Sequence, residues 1–424
     1  MSKHNTVMLA RSVLFLGLVT SSSHIHALEW SASGFGTLGY TYENEEDIAY
    51  RRDITQSVDI DDNGTFSSDS NLGLQLDGAF NRQWSVTAQL LLDNSVSHDL
   101  DALTELAFVR YEPNEYWSFR AGRIGVSAYA AADSRQIDYA HLWVRPPLEL
   151  YGGIPFNNLD GLGISYISNN PDFNWSATLE YGQNREDGEL AASDQEYETK
   201  LDNILSLSLE LDQDAWQWQL SYARVGNLTV DHGDFITNVQ TQVKGVADLG
   251  IPGISNDAQQ VYDYFMVKDE RVNYLQAAMT YFDGVWSFQS ELFKVYADKD
   301  SIPQGEGGYA LLGRTFGSVT PYAIYGRVRQ SNDRYESSSD WSALNPALGP
   351  LQAGALFGIN SVRIEQQTYS LGVRWDLLPN LALKAQVDHI DIEPYGYGLW
   401  AMSTEGIDKG RDVQVYTLNM NFIF

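Results

Sequence analysis

The feature that most constrains the fold is a unit that occurs seven times along the chain. Each unit has a strand of alternating apolar and polar residues, a short polar turn, and a second alternating strand that starts near an aromatic residue. Alternation with a period of two on both sides of a turn predicts a β-hairpin. The seven predicted hairpins are Leu72 to Leu92, Leu103 to Gly122, Leu162 to Tyr181, Leu205 to Tyr222, Leu275 to Leu292, Tyr309 to Val328 and Tyr369 to Val387.

Two further strands, Trp30 to Tyr42 and Val413 to Phe424, bring the predicted total to about sixteen. Single-chain bacterial outer-membrane barrels have an even number of antiparallel strands. The chain contains no apolar run long enough for a membrane-spanning helix after residue 27, since such a helix needs roughly 18 apolar residues. The predicted fold class is therefore all-β, as an antiparallel transmembrane barrel.

The two faces of these strands differ in polarity. Between Trp84 and Leu92 every second residue is apolar, while Ser85, Thr87 and Gln89 lie between them. A closed sheet with an apolar outside and a polar inside has no unpaired edge and belongs in lipid. A soluble barrel, sandwich or propeller would also show alternation and turns, so the pattern alone leaves that alternative open.

Short and long connections alternate strictly, which predicts short periplasmic turns at one end of the barrel and long extracellular loops at the other. Aromatic residues next to the short turns predict an interfacial girdle, because amphipathic rings prefer the membrane surface. The girdle residues are Trp84, Trp117, Trp175, Trp216, Trp286, Tyr322 and Trp375. The long segments are Glu43 to Ser68, Asn94 to Ala102, Ile124 to Asp160, Gln183 to Lys200, Gly226 to Arg271, Asp298 to Gly308, Gln330 to Gln366 and Asp391 to Arg411.

The N-terminus has the layout of a secretory signal peptide. Lys3 and Arg11 supply positive charge, Val13 to Val19 is a short apolar core, and cleavage is expected after Ala27. Residues 28–424 are then a single barrel domain. The formal net charge of −29 makes a nucleic-acid partner improbable, and the absence of Cys excludes disulfides and cysteine-ligated metals.

The C-terminal strand carries the first resemblance to known proteins. Apolar side chains occupy every second position from Tyr416 through Phe422 to the terminal Phe424. This looks like the closing-strand signal of outer-membrane proteins, and the resemblance implies recognition by the barrel assembly machinery of Gram-negative bacteria.

Strand number, length, acidity and a long third external loop resemble Gram-negative trimeric porins over nearly the whole chain. The segments Arg120 to Arg123 and Tyr139 to Pro147 also look like a porin-like group of marine gammaproteobacteria. The resemblance implies a homotrimer in contact with outer-membrane lipid and lipopolysaccharide. It also implies a third loop that folds into the lumen and places carboxylates opposite basic wall residues. The constriction residues expected on that loop are Asp133, Arg135, Asp138, Tyr139 and Glu149, with Asp160 at its end. This segment departs from the acidic Pro-Glu-Phe-Gly motif of enteric general porins.

Strand parity predicts which cations face the lumen. A cation on the lipid side near the membrane midplane costs roughly 2 to 4 kcal/mol, which favours the inward orientation. If Tyr322, Ile324 and Val328 face lipid, their intervening cations face inward. The predicted lumen cations are Arg120, Arg327, Arg329, Arg374 and Lys384, while Arg110 is ambiguous because both faces of its strand contain apolar residues.

These features predict a water-filled channel for passive diffusion of small hydrophilic solutes and ions, with cations preferred because the chain is acidic. A substrate-specific channel is the main alternative, since Tyr129, Tyr139, Trp143 and Tyr151 could stack on sugars. A receptor or adhesin is a third alternative, based on the long segment Gly226 to Arg271.

No enzyme, cofactor or metal is predicted, because the His residues lack a catalytic or ligand-spaced motif. The calcium-loop likeness of Asp59 to Gly64 lacks flanking helices and a terminal Glu.

Overall fold

Sixteen strands form one closed antiparallel barrel, as predicted, and the short strand Gly64–Thr65 adds to the same sheet. The short strands Ile48–Tyr50 and Trp400–Met402 pair separately in the long-loop region. The computed structural model describes residues 29–57, 64–132, 134–170, 173–190, 195–402 and 406–424. The predicted signal peptide, Asp133 and most of the calcium-like segment lie outside these residues. The barrel strands are β1 (Glu29–Glu43), β2 (Asn71–Ala79), β3 (Trp84–Leu92), β4 (Thr104–Tyr111), β5 (Trp117–Gly125), β6 (Asn158–Asn169), β7 (Asn174–Glu189), β8 (Glu196–Gln213), β9 (Trp216–His232), β10 (Glu270–Phe282), β11 (Trp286–Ala297), β12 (Gly305–Arg314), β13 (Val319–Gln330), β14 (Ile364–Leu378), β15 (Leu381–Tyr397) and β16 (Arg411–Ile423).

The first strand closes the barrel by pairing with two neighbours. One half of β1 pairs with β2, with Glu29 opposite Ala79, and the other half pairs with β16, with Glu43 opposite Val415. Two backbone hydrogen bonds of 2.8 and 2.9 Å join Gly34 and Phe424. Closure leaves no exposed strand edge, which is the condition for placing a sheet in hydrocarbon.

Several short turns share one hydrogen-bonding device that positions the next tryptophan. The Asn81 side-chain oxygen accepts from the backbone N–H of Trp84 at 3.0 Å, and Asp283 accepts from that of Trp286 at 2.7 Å. An Asx side chain that bonds to the backbone two or three residues ahead fixes a tight turn. The Asx side chain in the turn therefore fixes where the next strand begins and how far along the barrel axis its first tryptophan lies.

The outer face is apolar and carries the predicted girdle, with one exception. Large apolar side chains cover it, and Leu371 is 70% exposed. The six girdle tryptophans are 37% to 48% exposed on this face. Tyr322 is only 4% exposed, because it lies inside the barrel and its hydroxyl donates to Gln386 at 2.8 Å. The assignment of Tyr322 to the girdle is wrong.

The predicted parity of β13 is wrong for the same reason. Tyr322, Ile324 and Val328 are buried inside the barrel, so Arg327 and Arg329 project from the outer face. Arg327 pairs in register with Gln367, whose side chain bonds outward-facing Asp391. Both arginines lie near the long-loop end of the strand, away from the midplane, where the energetic cost of a cation on the lipid side falls.

The long connections contain helices that alternation did not predict. They are α1 (Leu148–Tyr151), α2 (Asp234–Ala247), α3 (Ile254–Phe265) and α4 (Leu348–Ser361). Val243 of α2, Val261 of α3 and Ile359 of α4 pack together around Trp341. In the described part of the chain, no helix has both the length and the apolar character to cross a bilayer.

Two long segments are shorter than predicted. β7 extends to Glu189 and β8 begins at Glu196, so the predicted loop Gln183 to Lys200 shrinks to residues 190–195. β15 likewise extends to Tyr397 and shortens the last loop. At the end of β7 and the start of β8 both faces are rich in polar residues, so the period of two disappears from the sequence although the backbone ladder continues. At the end of β15 the period of two persists, but the apolar Ile390 and Ile392 lie on the inward face.

Candidate functional site

The third long connection, residues 126–157 between β5 and β6, folds into the lumen as predicted, and we call it the inserted loop. Near its start the Ser127 N–H donates to Glu180 of β7 at 2.8 Å. Further along, the Asn419 side chain of β16 donates to the Val144 carbonyl at 2.9 Å. Contacts on opposite walls show that the loop spans the barrel interior.

Asp138 is held by the first long connection and by the wall. Its carboxylate accepts two hydrogen bonds from Arg52, at 2.7 and 3.1 Å, and one from Thr37 of β1 at 2.8 Å. Asp138 is 1% exposed. Arg52 was not predicted as a site residue, because the segment that contains it, residues 43–68, was expected to form an external loop. The only available signal was the pair Arg51-Arg52 within an acidic segment.

Two of the predicted wall cations hold the backbone of the inserted loop. The Lys384 ammonium donates to the carbonyls of Asp138 and Trp143 at 2.6 and 2.8 Å. The Arg374 guanidinium donates to the carbonyls of Tyr139 and His141 at 2.6 and 2.8 Å and lies 5.0 Å from the Tyr139 ring. These cations therefore satisfy carbonyl groups that burial would leave unpaired.

The ring of His141 is partly buried beside these cations and stacks on Trp143 at 4.4 Å. Burial lowers the pKa of His141 to about 4, and the positive charge of Lys384 acts in the same direction. The imidazole is therefore neutral at physiological pH and adds no charge to the lumen.

Arg145 of the inserted loop bonds to two carboxylates and to a wall hydroxyl. Its guanidinium lies 3.3 Å from both Asp69 and Asp388 and donates to Thr417 of β16. It also lies 4.3 Å from the ring of Tyr50. Arg145 and Asp69 side chains are at most 3% exposed, so this is a desolvated charge cluster whose members depend on one another.

Glu149 on α1 lies inside the barrel, against the inward face of β14. Its carboxylate accepts from Gln366 at 2.8 Å and from Thr368. A Cβ atom at Gly326 would come within 2.4 Å of the carboxylate, so only glycine leaves room for it. Burial raises the pKa of Glu149, and the nearby negative charge of Asp388 adds to this effect.

Replacement Glu149→Gln should stabilise the protein more at mildly alkaline pH than at mildly acidic pH. The raised pKa means that the native protein keeps a proton that the unfolded chain has lost, so wild-type stability falls as pH rises. Glutamine keeps the shape and the acceptor oxygen without that titration. Urea unfolding midpoints at the two pH values, followed by tryptophan fluorescence, measure the difference.

Glu306→Gln is the matched control, since the Glu306 carboxylate is 61% exposed on the outer face. We expect it to leave the pH dependence of the midpoint unchanged. A Glu149→Gln variant whose midpoint follows the wild-type pH curve would show that this buried carboxyl does not titrate differently in the two states.

Glu291 of β11 anchors the middle of the inserted loop and was also missed. It accepts from the Tyr151 hydroxyl at 2.6 Å, from Gln276 at 2.6 Å and from the Ala130 N–H at 3.2 Å. It also accepts from the Tyr309 hydroxyl. Its only signal in the sequence was a carboxyl group at an inward-facing position of β11. Such a position does not predict which side chains donate hydrogen bonds to the carboxylate.

The remaining predicted residues separate into two places. Arg135 lies 3.3 Å from Asp53 and donates to Asn157 at 2.7 Å, within the loop region. Arg120 faces the lumen on β5 and pairs with Glu180 at 2.9 Å. Asp160 instead pairs with Arg123 on the outside at 2.9 Å. Arg135, Asp138 and Glu149 are thus buried anchors at contact distance, rather than an open ring facing cations across a gap.

A second, water-facing part of the lumen lies on β2 to β8, toward the short turns. Asp77 accepts from Gln75 at 2.8 Å and from Thr87 at 2.7 Å. On β7 and β8, Ser176 donates to Glu210 at 3.4 Å. These side chains are partly exposed inside the barrel. We call this set of polar inward side chains on β2 to β8 the polar wall; it can bind water and small polar solutes.

A sixteen-stranded closed barrel with an apolar outside and a third loop in the lumen is the architecture of an outer-membrane β-barrel, and the chain is located in the outer membrane of a Gram-negative bacterium. Two solved structures share this fold. Salmonella typhi OmpF in complex with daunomycin aligns with a TM-score of 0.52 at 10% identity, over 93% of this chain and 97% of that one. The outer membrane channel DcaP of Acinetobacter baumannii aligns with a TM-score of 0.51 at 11% identity, over 94% and 97%. At these identities the likeness shows the fold alone. No family model and no curated protein matches the sequence.

Proposed function

We propose that the chain is a passive channel for small hydrophilic solutes and ions. The observation that carries this proposal is the polar wall, which remains partly exposed toward the short turns of the barrel. Fixed charges and polar groups along a wet wall select ions and hydrated solutes. DcaP, which shares the fold, is an outer membrane channel, and this supports the same function.

Single-channel recording of the refolded protein in a planar bilayer tests the proposal. We expect stepwise currents whose size follows salt concentration and is unaffected by sugars in the bath. Saturable block by one sugar would favour the substrate-specific alternative. A correctly folded protein that produces no current would contradict a channel function and favour a receptor or adhesin.

Asp77 and Glu210 are the wall carboxylates that we expect to favour cations. The double variant Asp77→Asn with Glu210→Gln should shift the reversal potential in a salt gradient toward anion permeation, because it removes two negative charges from the lumen. Asp298→Asn with Glu306→Gln removes the same charge from ion pairs outside the polar wall and should have little effect. Equal shifts in both variants would mean that total charge, and not the polar wall, sets selectivity.

We further propose that the protein is a homotrimer, and that its C-terminal strand is the signal recognised by the barrel assembly machinery. Tyr416 and Phe424 face outward, and Phe422 stacks on Phe424 at 6.2 Å, which leaves these rings accessible to assembly machinery during insertion. The outward Arg327 and Arg329 suit contact with phosphate groups of lipopolysaccharide near the long-loop surface. Unheated gel electrophoresis of the membrane-extracted protein measures the oligomer, and a monomer band alone would contradict the trimer.

The receptor alternative rests on segment Gly226 to Arg271. That segment forms the end of β9 and the helices α2 and α3, which pack with α4 as a small helical layer. The prediction that the chain has no enzymatic activity stays a prediction.

A further inference from the structure

An apolar cavity of about 380 Å³ lies in the long-loop half of the barrel. It is bounded on one side by the inserted loop, including Tyr129 and Phe156, and on the other by β8 to β11. From that wall Ile204, Val225 and Phe293 line it. The cavity is therefore lined by apolar side chains, which a water-filled polar channel does not require.

The inward face of β8 changes its chemistry along the strand. Toward the short turn it carries Ser206, Ser208 and Glu210, while toward the long loop it carries Leu201 and Ile204. An apolar wall offers water no hydrogen-bonding groups, so exposure of apolar surface to water inside a channel is unfavourable. An apolar patch that lines a concave space instead favours an apolar ligand.

Three polar atoms at this cavity have no hydrogen-bonding partner among the described residues. They are the Tyr274 hydroxyl, the Ser301 hydroxyl and Nδ1 of His232; all three atoms are buried, and all three residues line the cavity. Buried polar atoms are normally paired, so three around one space indicate groups that a ligand would pair.

Two charged residues that line the cavity, Glu149 and Arg51, already have hydrogen-bonding partners. Glu149 accepts from Gln366 and Thr368, and Arg51 donates to the backbone oxygens of Glu189, Gly398 and Leu399. The groups left to bind a ligand are two hydroxyls and one imidazole nitrogen, which suit an uncharged partner. The volume is at the lower end of the range for small-molecule sites, which suits one or two rings.

We propose that this cavity binds an uncharged aromatic molecule of one or two rings that carries a hydroxyl group. The binding rests on the cavity alone, whereas its role as a stage in permeation rests on the proposed channel function. Tyr274 is the residue that we expect to bond the ligand hydroxyl, and the apolar wall of β8 to β11 holds the rings.

Equilibrium dialysis of 2-naphthol and of naphthalene against the protein in lipid nanodiscs tests the proposal, with empty nanodiscs subtracting partition into lipid. Tyr274→Phe should weaken 2-naphthol binding about five-fold, the equivalent of one net hydrogen bond, and leave naphthalene binding unchanged. Tyr222→Phe is the matched control. Tyr222 lies on the neighbouring strand β9, faces outward and bonds Asn273 at 2.8 Å, so its substitution should change neither affinity.

A second variant tests the cavity without any hydrogen bond. Val225→Trp should fill the space and abolish binding of both compounds, whereas Leu220→Trp on the outward face of β9 should not. No saturable binding above that of empty nanodiscs would overturn the proposal. Saturable binding that neither Tyr274→Phe nor Val225→Trp alters would also overturn it, since the ligand would then bind elsewhere.

Conductance of the same preparations separates the two proposals. Channels that conduct ions without binding 2-naphthol would refute the ligand site and keep the channel. Saturable binding without any current would keep the site and refute the channel function.

Discussion

Arg145→Met is expected to lower the free energy of local opening of the inserted loop by about 3 to 5 kcal/mol relative to wild type. This is the destabilisation typical of a buried ion pair that loses one partner. The substitution leaves Asp69 and Asp388 facing each other without the cation that lies 3.3 Å from each of them. Hydrogen exchange of the hydrogen-bonded Ala140 and Gly152 amides measures the opening, since exchange reports the free energy of local opening. Strand amides should keep their protection, because the barrel ladder does not depend on Arg145.

Arg271→Met is the matched control. Arg271 pairs with Asp298 at 3.2 Å, a similar distance, but the two side chains are 47% and 57% exposed. An exposed pair contributes about 0 to 1 kcal/mol, so this variant should exchange like wild type. Equal protection of Ala140 in wild type and Arg145→Met would show that the cluster does not hold the loop.

Replacement of residues 137–146 by a Gly-Ser segment of equal length should raise single-channel conductance several-fold. This segment contains Asp138, Tyr139 and Arg145, which attach the inserted loop to β1 and to β14 to β16. Without those contacts the segment no longer fills that side of the lumen, and water can hydrate the wall charges that it covered. Planar-bilayer recording under identical salt gives the measurement.

The same replacement at residues 237–246 is the control, because it alters α2, which packs with α3 and α4. It should leave conductance near the wild-type value. If replacement of residues 137–146 also left conductance unchanged, the inserted loop would not narrow the path, and the constriction would have to lie elsewhere.

The sequence predicted the barrel because each hairpin is specified locally. Alternation and an Asx residue in the turn are enough to place β3 after Asn81 and β11 after Asp283. The same local pattern failed on β13, where Tyr322 and Ile324 face the inserted loop. When the lumen side is itself apolar, both faces of a strand look alike and parity cannot be assigned.

The partners of the site charges could not be predicted from alternation. Asp138 bonds Arg52 from the first connection, and Glu149 bonds two uncharged side chains. Parity did place Lys384 and Arg374 inside the barrel, but it said nothing about the backbone carbonyls that they bind. Such contacts depend on how a loop crosses the interior, and no periodic pattern in the sequence encodes that path.

The bonds of Arg145 also set an order of events during biogenesis. Its partners Asp69, Asp388 and Thr417 lie 76, 243 and 272 positions away along the chain, and two of them are on the last strands. The inserted loop therefore cannot reach its final position until the C-terminal strand has joined the first. Docking of the inserted loop is then a late step that occurs only after the barrel has closed. A barrel arrested before that step would keep the loop accessible to periplasmic proteases.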